Sequence, residues 1–132
     1  MKSLLAEDDP VSRTIVQEYL SSFGQCEVVT NGQEAMDAFV AAHDAGTPFD
    51  LICLDIMMPE MNGQETLEQI RSYEEEHQIT GLSGVKIMMT TGKSDAKSIM
   101  AAFRHQCEVY LIKPISPEDL SEKIAKLGLL KP

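Results

Sequence analysis

The sequence predicts a doubly wound α/β domain built on one parallel sheet, and three observations carry that prediction. Short apolar runs of strand length alternate with longer segments in which apolar residues recur three or four apart. Capping residues stand at the junctions between the two kinds of segment. Two runs, Leu51 to Leu54 and Val109 to Ile112, are apolar nearly throughout, as expected of strands covered on both faces.

Taken in order, Ser3 to Ala6 predicts the first strand. Val11, Ile15, Tyr19 and Phe23 then form the stripe of a first helix, with Asp9 or Ser12 placed to cap it. Glu27 to Thr30 predicts the second strand, and Asn31-Gly32 opens a second helix striped by Ala35, Met36, Phe39 and Val40. After the third strand, Leu51 to Leu54, Gly63 precedes a helix with a weaker stripe, Leu67 and Ile70. The stretch EEEHQITGLSG, Glu74 to Gly84, is polar and aperiodic, and predicts a surface loop longer than the usual connection of about 2 to 6 residues. Lys86 to Met89 predicts the fourth strand, followed by a helix begun by Ser94 and Asp95 and striped by Ile99, Met100 and Phe103. The fifth strand is Val109 to Ile112. Ser116-Pro117-Glu118 then reads as a cap with Pro in the first turn of a fifth helix carrying Leu120, Ile124 and Leu127. Strands alternating with helices pair in parallel through right-handed crossovers.

The 132 residues suit one domain, 1–132, with no second or output domain expected in the chain. With 21 acidic against 11 basic residues the net charge is -10, a field that repels phosphate backbones and anionic lipid. Direct nucleic-acid binding is therefore not expected. No apolar run approaches the roughly 18 residues of a membrane span, and the N-terminus lacks a signal-peptide core, so no membrane insertion and a cytoplasmic location are expected. Cys26, Cys53 and Cys107 are widely spaced, with no CxxC pair, and read as small apolar side chains. His43, His77 and His105 are assigned no chemistry.

Ligands of open parallel sheets bind at the carboxyl ends of the strands. The first predicted strand ends in Glu7, Asp8 and Asp9, the third in Asp55, the fourth in Thr90 and Thr91, and the fifth in Lys113. Carboxylates gathered at one rim raise one another's pKa unless a cation compensates. The donors on offer are oxygens, which favours Mg²⁺ or Mn²⁺ over zinc. A hard cation with open positions, an ammonium, a hydroxyl and a carboxylate nucleophile are the parts that phosphoryl transfer uses, and Asp55 can be that nucleophile.

The motifs LLAEDDPVSR near the start, LDIMMPEMNG around Asp55, MMTTG at the fourth strand and YLIKP at the fifth, in that order, resemble the response regulator receiver domain of two-component signalling over essentially the whole chain. The resemblance implies a flavodoxin-like (βα)5 fold with strand order 2-1-3-4-5. It implies a signalling phosphoacceptor that is not a conventional enzyme but catalyses its own aspartyl phosphorylation and dephosphorylation. Asp55 would take a phosphoryl group from a phosphohistidine on a histidine kinase or histidine phosphotransfer protein. Glu7, Asp8, Asp55 and the Met57 backbone carbonyl would hold Mg²⁺, Thr91 and Lys113 would bind the phosphoryl group, and Thr91 with Tyr110 would form the switch. A downstream protein effector would read the face of the fourth helix, fifth strand and fifth helix. The Lys113-Pro114 bond is expected to be cis by the same resemblance. Two positions depart from the pattern: Gln106 stands where Gly is common, and Glu7 replaces the commoner Asp of the acid pair.

Rival readings fare worse. An aspartyl phosphatase wants a second acid two residues after the first, where Ile56 and Met57 follow Asp55; a flavin-binding electron carrier wants a Ser/Thr-rich phosphate loop where Glu7, Asp8 and Asp9 stand. Within the receiver reading, a phosphorelay shuttle and a constitutive, non-phosphorylated binding module remain the alternatives.

Overall fold

The computed structural model describes residues 1–58, 60–79, 84–92 and 107–129. The expected fourth helix, with Ser94, Asp95, Ile99, Met100 and Phe103, lies outside the described residues, as do Pro59, His105 and Gln106. The described elements are β1 Ser3–Ala6, α1 Pro10–Ser21, β2 Cys26–Val29, α2 Gly32–Asp44, β3 Leu51–Asp55, α3 Gly63–Glu76, β4 Lys86–Thr91, β5 Val109–Ile112 and α4 Pro117–Lys126. This α4 is the fifth helix of the sequence prediction.

All strand pairs are parallel and the sheet order is β2-β1-β3-β4-β5. Alternation along the strands sends side chains to two cores. Leu4, Ala6, Ile52, Leu54, Ile87 and Met89 face α2 and α3, where they meet Ala35, Phe39, Leu67 and Ile70. Leu5, Cys53 and Met88 face the other way, against Val16 and Leu20 of α1 and Leu120 and Ile124 of α4. The central strand β3 is buried at every position, and removing a side chain such as Leu54 would cost about 2 to 5 kcal/mol.

The caps hold each helix to its strand. Asp9, rather than Ser12, caps α1; Asn31 caps α2; Ser116 caps α4 with Pro117 in the first turn. At α3 the cap is Asn62, which forms a capping box with Glu65, and Gly63 is the first helical residue. That glycine is required by contact: a Cβ there would strike the Asp55 carbonyl oxygen and the Ile56 Cα.

Several expected bounds shift. β2 begins and ends one residue earlier than its apolar pattern indicates, while β3 runs on through Asp55 and β4 through Thr90 and Thr91. Polar residues there are strand residues because the ladder continues past the apolar run. The segment from Glu74 to Gly84 is not all surface loop: α3 continues through Glu76, and Glu74 is buried. No described helix is long and apolar enough to cross a membrane.

Candidate functional site

The carboxyl ends of β1, β3, β4 and β5 converge as the doubly wound topology requires. Glu7 follows β1, with its amide on the Val29 carbonyl at 3.2 Å, and its side chain is only 1% exposed. Asp55 ends β3 at 3% exposure. Lys113 follows β5, where its amide donates to the Thr91 carbonyl at 2.7 Å, and the Lys113-Pro114 bond is cis. Its ammonium reaches back between the two acids, donating to Glu7 Oε2 at 3.0 Å and to Asp55 Oδ2 at 3.1 Å. The other Asp55 oxygen, Oδ1, accepts the Met57 amide at 3.2 Å.

One ammonium thus serves two sealed carboxylates, and the imbalance appears in their chemistry. Burial first, then the hydrogen bond and charge of Asp55, push Glu7 up from an ordinary 4.5 to about 8, against the pull of Lys113. For Lys113 burial works against the charged form, but bonds to Glu7 and Asp55 outweigh it and hold the ammonium above its ordinary pKa. Burial thus favours the neutral form of Glu7 well above the ordinary carboxylate range.

Asp8 is exposed, and carboxylate oxygens of Glu7, Asp8 and Asp55 lie within 4.8 Å of one another. Three carboxylate donors at that spacing, two of them buried, fit a hard divalent cation. Asp9 does other work. Its Oδ2 accepts the Ser12 amide and hydroxyl at 3.2 and 2.7 Å, bonds that hold its carboxyl below the usual range, while its own amide donates to Glu7 Oε2 at 3.2 Å.

The two threonines part company. Thr90 lies opposite Asp55 in the β3–β4 register, and its hydroxyl points to Glu7 Oε1 at 3.5 Å. Thr91, the residue expected to supply the hydroxyl, is turned instead to the Gly92 carbonyl at 3.3 Å. The sequence places both threonines at this strand end and the resemblance selects Thr91; the signal that points to Thr90 is register, since the residue paired with the last residue of β3 shares its side-chain direction. Arg13 was passed over: from α1 its Nη1 approaches the Glu7 carbonyl at 3.4 Å. Tyr110 does not join the cluster. It is half-buried against the α2/α3 side core, with Lys123 Nζ 5.9 Å from its ring centre.

The loop carrying Met57 is tied from the side. The Gly32 amide at the start of α2 donates to the Met61 carbonyl at 3.0 Å, and the Gly63 amide to that of Ile56 at 3.0 Å. The Met57 side chain is 64% exposed.

Comparison with known proteins bears on this arrangement. The family model described as response regulator receiver domain matches residues 4–125. The chain is 29% identical over 126 residues to the response regulator protein VraR of Staphylococcus saprophyticus, covering 96% of this chain and 56% of that protein. It is 34% identical over 125 residues to the probable transcriptional regulator ycf29 of Porphyra purpurea, covering 94% of this chain and 54% of the relative. The chain thus spans about half the length of these relatives. Among solved structures, a co-crystal of the Saccharomyces cerevisiae histidine phosphotransfer signaling protein Ypd1 with the receiver domain of its downstream response regulator Ssk1 is similar at 27% identity and a TM-score of 0.80, covering 97% of this chain and 88% of that one.

Proposed function

This chain belongs to the response regulator receiver domain family, and we propose that Asp55 is the residue on which it accepts a phosphoryl group from a phosphohistidine. The observation that carries the reading is the position of Asp55, sealed at a strand end between the Lys113 ammonium at 3.1 Å and the Met57 amide at 3.2 Å, beside two more carboxylates.

In the transfer, one Asp55 oxygen forms a bond to phosphorus as the phosphorus–nitrogen bond of the donor imidazole breaks, and the freed nitrogen takes up a proton. The reaction needs positioning and neutralisation more than bond chemistry from the protein. Lys113 follows the charge: its ammonium already bridges Glu7 and Asp55, and it turns to the phosphoryl oxygens as they arrive. Glu7, Asp8, Asp55 and the Met57 carbonyl would hold Mg²⁺ or Mn²⁺, which would supply neutralisation of the phosphoryl oxygens. Thr90, whose hydroxyl already faces the acids, supplies the hydroxyl donor in place of Thr91. Glu7, whose neutral form burial favours, would serve such a cation as a carboxylate ligand.

The added group brings about 1.5 to 2 negative charges and three acceptors. Its capture by Thr90 and Lys113 acts on β4 and β5, and Tyr110 on β5 is the side chain through which that shift reaches a partner-binding face. The donor is a histidine kinase or histidine phosphotransfer protein, and the recipient of the signal a protein effector, in the cytoplasm. A phosphorelay shuttle would use the same site chemistry.

The test is incubation with Mg²⁺ and acetyl phosphate. The parent acquires an acid-stable, base-labile label; Asp55→Asn acquires none. An Asp55→Asn variant that labels like the parent removes the assignment.

A further inference from the structure

We propose that Arg71, on α3 and remote from the carboxylates, is a positioning residue for Lys113, acting through Glu108 to fix the register of β5 on β4. The inference rests on the phosphoacceptor reading only for its link to phosphoryl transfer; the positioning of Lys113 is measurable without it.

β5 is four residues long, and its strand neighbour in the described sheet is β4, from Met88↔Val109 to Thr91↔Ile112. So short an edge strand carries few rungs to hold it, and a slip of one residue would turn every side chain to the other face. Lys113 comes directly after it, with both of its 3.0 and 3.1 Å bonds dependent on where β5 ends.

The start of β5 is fastened by an arrangement that the ladder alone would not supply. Among the described residues β4 and β5 pair from Met88↔Val109 onward, and the Val85 amide just before β4 and the Ile87 amide within it find side-chain acceptors instead. Both acceptors are carboxylates: Glu74 Oε2 accepts the Val85 amide at 2.7 Å, and Glu108 Oε2 accepts the Ile87 amide at 2.7 Å. The Glu108 amide meanwhile donates to the Ile87 carbonyl at 3.0 Å, so this one residue closes a rung with both its backbone and its side chain. Arg71 locks both acids. Its Nη1 donates to Glu74 Oε1 at 2.6 Å and to the Val85 carbonyl at 3.0 Å, and its Nη2 to Glu108 at 2.9 and 3.0 Å. A planar guanidinium forked between two carboxylates defines distance and direction together, which an ammonium in its place would not. β5 is thus pinned by ion pairs at both ends. The Lys113 end must rearrange when a phosphoryl group arrives, so the Arg71 end is the fixed point from which Lys113 is aimed.

The experiment compares Arg71→Ala and Glu108→Gln with Lys113→Ala and the Arg71→Ala/Lys113→Ala double variant. Glu108→Gln keeps the Glu74–Arg71 pair, so it stays folded even where loss of the guanidinium proves damaging. The first readout is the Asp55 carboxyl carbon resonance, which reports the neighbouring ammonium: Arg71→Ala and Glu108→Gln are expected to move it part of the way to its Lys113→Ala value, and a resonance unmoved in both overturns the proposal. The second is the initial rate of labelling by acetyl phosphate with Mg²⁺, expected to fall about tenfold in Arg71→Ala, since small misplacements of a reacting group cost one to two orders of magnitude. Mg²⁺ affinity, which belongs to β1 and β3, stays within about twofold, and Arg71→Ala adds no further loss to Lys113→Ala. Equal losses in both backgrounds would mean that Arg71 acts independently of Lys113 and would overturn the proposal. Failure of the parent to label defeats the phosphoacceptor reading alone, because the resonance still decides whether Arg71 aims Lys113.

Discussion

Glu7 and Glu74 are carboxylates sealed at opposite ends of the same sheet, at 1% and 4% exposure, and the fold treats them in opposite ways. Glu74 is fully supplied: one oxygen has the Arg71 guanidinium and the other the Val85 amide. Glu7 shares the Lys113 ammonium with Asp55, and its remaining contacts, the Asp9 amide and the Thr90 hydroxyl, are long at 3.2 and 3.5 Å. Burying a carboxylate is tolerable when donors match its lone pairs, and costly otherwise. A structural acid is therefore matched in the protein itself, whereas the acid at the rim is left short of positive charge that a bound cation can bring.

The sharpest way to break this comparison is to remove the cation from each cluster. Arg71→Ala strands Glu74 in a sealed position and is expected to lower the unfolding free energy by about 3 kcal/mol in urea denaturation, with Mg²⁺ restoring none of it. Lys113→Ala also destabilises the metal-free protein, but here 10 mM-scale Mg²⁺, about the order needed for weak carboxylate sites, should restore most of the loss. Rescue of Arg71→Ala by Mg²⁺, or none for Lys113→Ala, would erase the distinction.

The pH dependence of the metal-free protein comes next in size. Glu7 rises from 4.5 to about 8 on folding, so its protonated form belongs to the native state. The stability it contributes is fully present below pH 4.5 and is lost as pH rises through about 8. Other carboxylates titrate at the acid end, so the informative quantity is the difference between the parent and Glu7→Gln. That difference should favour the variant increasingly as pH rises from about 4.5 to about 8 and level off above it. Saturating Mg²⁺ should abolish it, and a difference that is flat with pH would place the compensation for Glu7 elsewhere.

The two clusters also differ in how legible they were. The rim could be read because α/β topology brings strand ends together, so Glu7, Asp8, Asp55 and Lys113 follow once the strands are found. The Arg71 clasp could not, because its bonds run from side chains to the Val85 and Ile87 amides, 11 and 21 residues away in the chain, and no local pattern encodes them. Glu74 to Glu76 read as the start of a loop on polarity alone, although two of the three acids are exposed and only Glu74 turns inward. Fold class and strand order were accessible from alternation and motif; strand ends were less so, because Asp55, Thr90 and Thr91 are polar residues inside the ladder. The Asn62 cap was likewise hidden behind the more conspicuous Gly63.

Backbone crowding at the rim permits a test that changes no charge. Gly63→Ala would press a methyl group on the Asp55 carbonyl oxygen and the Ile56 Cα, both backbone atoms that yield only if the loop moves. The expected cost is about 1 to 2 kcal/mol of stability, accompanied by a several-fold fall in Mg²⁺ affinity on titration, since the same loop presents Met57. Gly84→Ala is the counterpart at the clasp: its Cβ would come 3.1 to 3.3 Å from the Glu74 and Arg71 side chains. Those are side-chain ends that can give by a few tenths of an ångström, so the stability change should be smaller and Mg²⁺ affinity unaltered.

The smallest expected effect separates two adjacent hydroxyls. Thr90 and Thr91 are both buried in β4, and valine is close to threonine in shape, so each substitution removes an oxygen with little change of volume. Thr90 faces Glu7 and pairs in register with Asp55, whereas Thr91 is spent on the Gly92 carbonyl. Thr90→Val should therefore weaken binding of beryllofluoride, a phosphoryl mimic, by about tenfold, the worth of one hydrogen bond to a charged group. Thr91→Val should leave that affinity within about twofold. Lys113→Ala, in the same assay, should lose more than either, because an ammonium shared between two carboxylates neutralises charge that a hydroxyl only orients. If Thr91→Val instead carries the larger loss, the β4 terminus must rotate as the ligand binds, and the hydroxyl that serves the bound state is not the one that faces the acids without it.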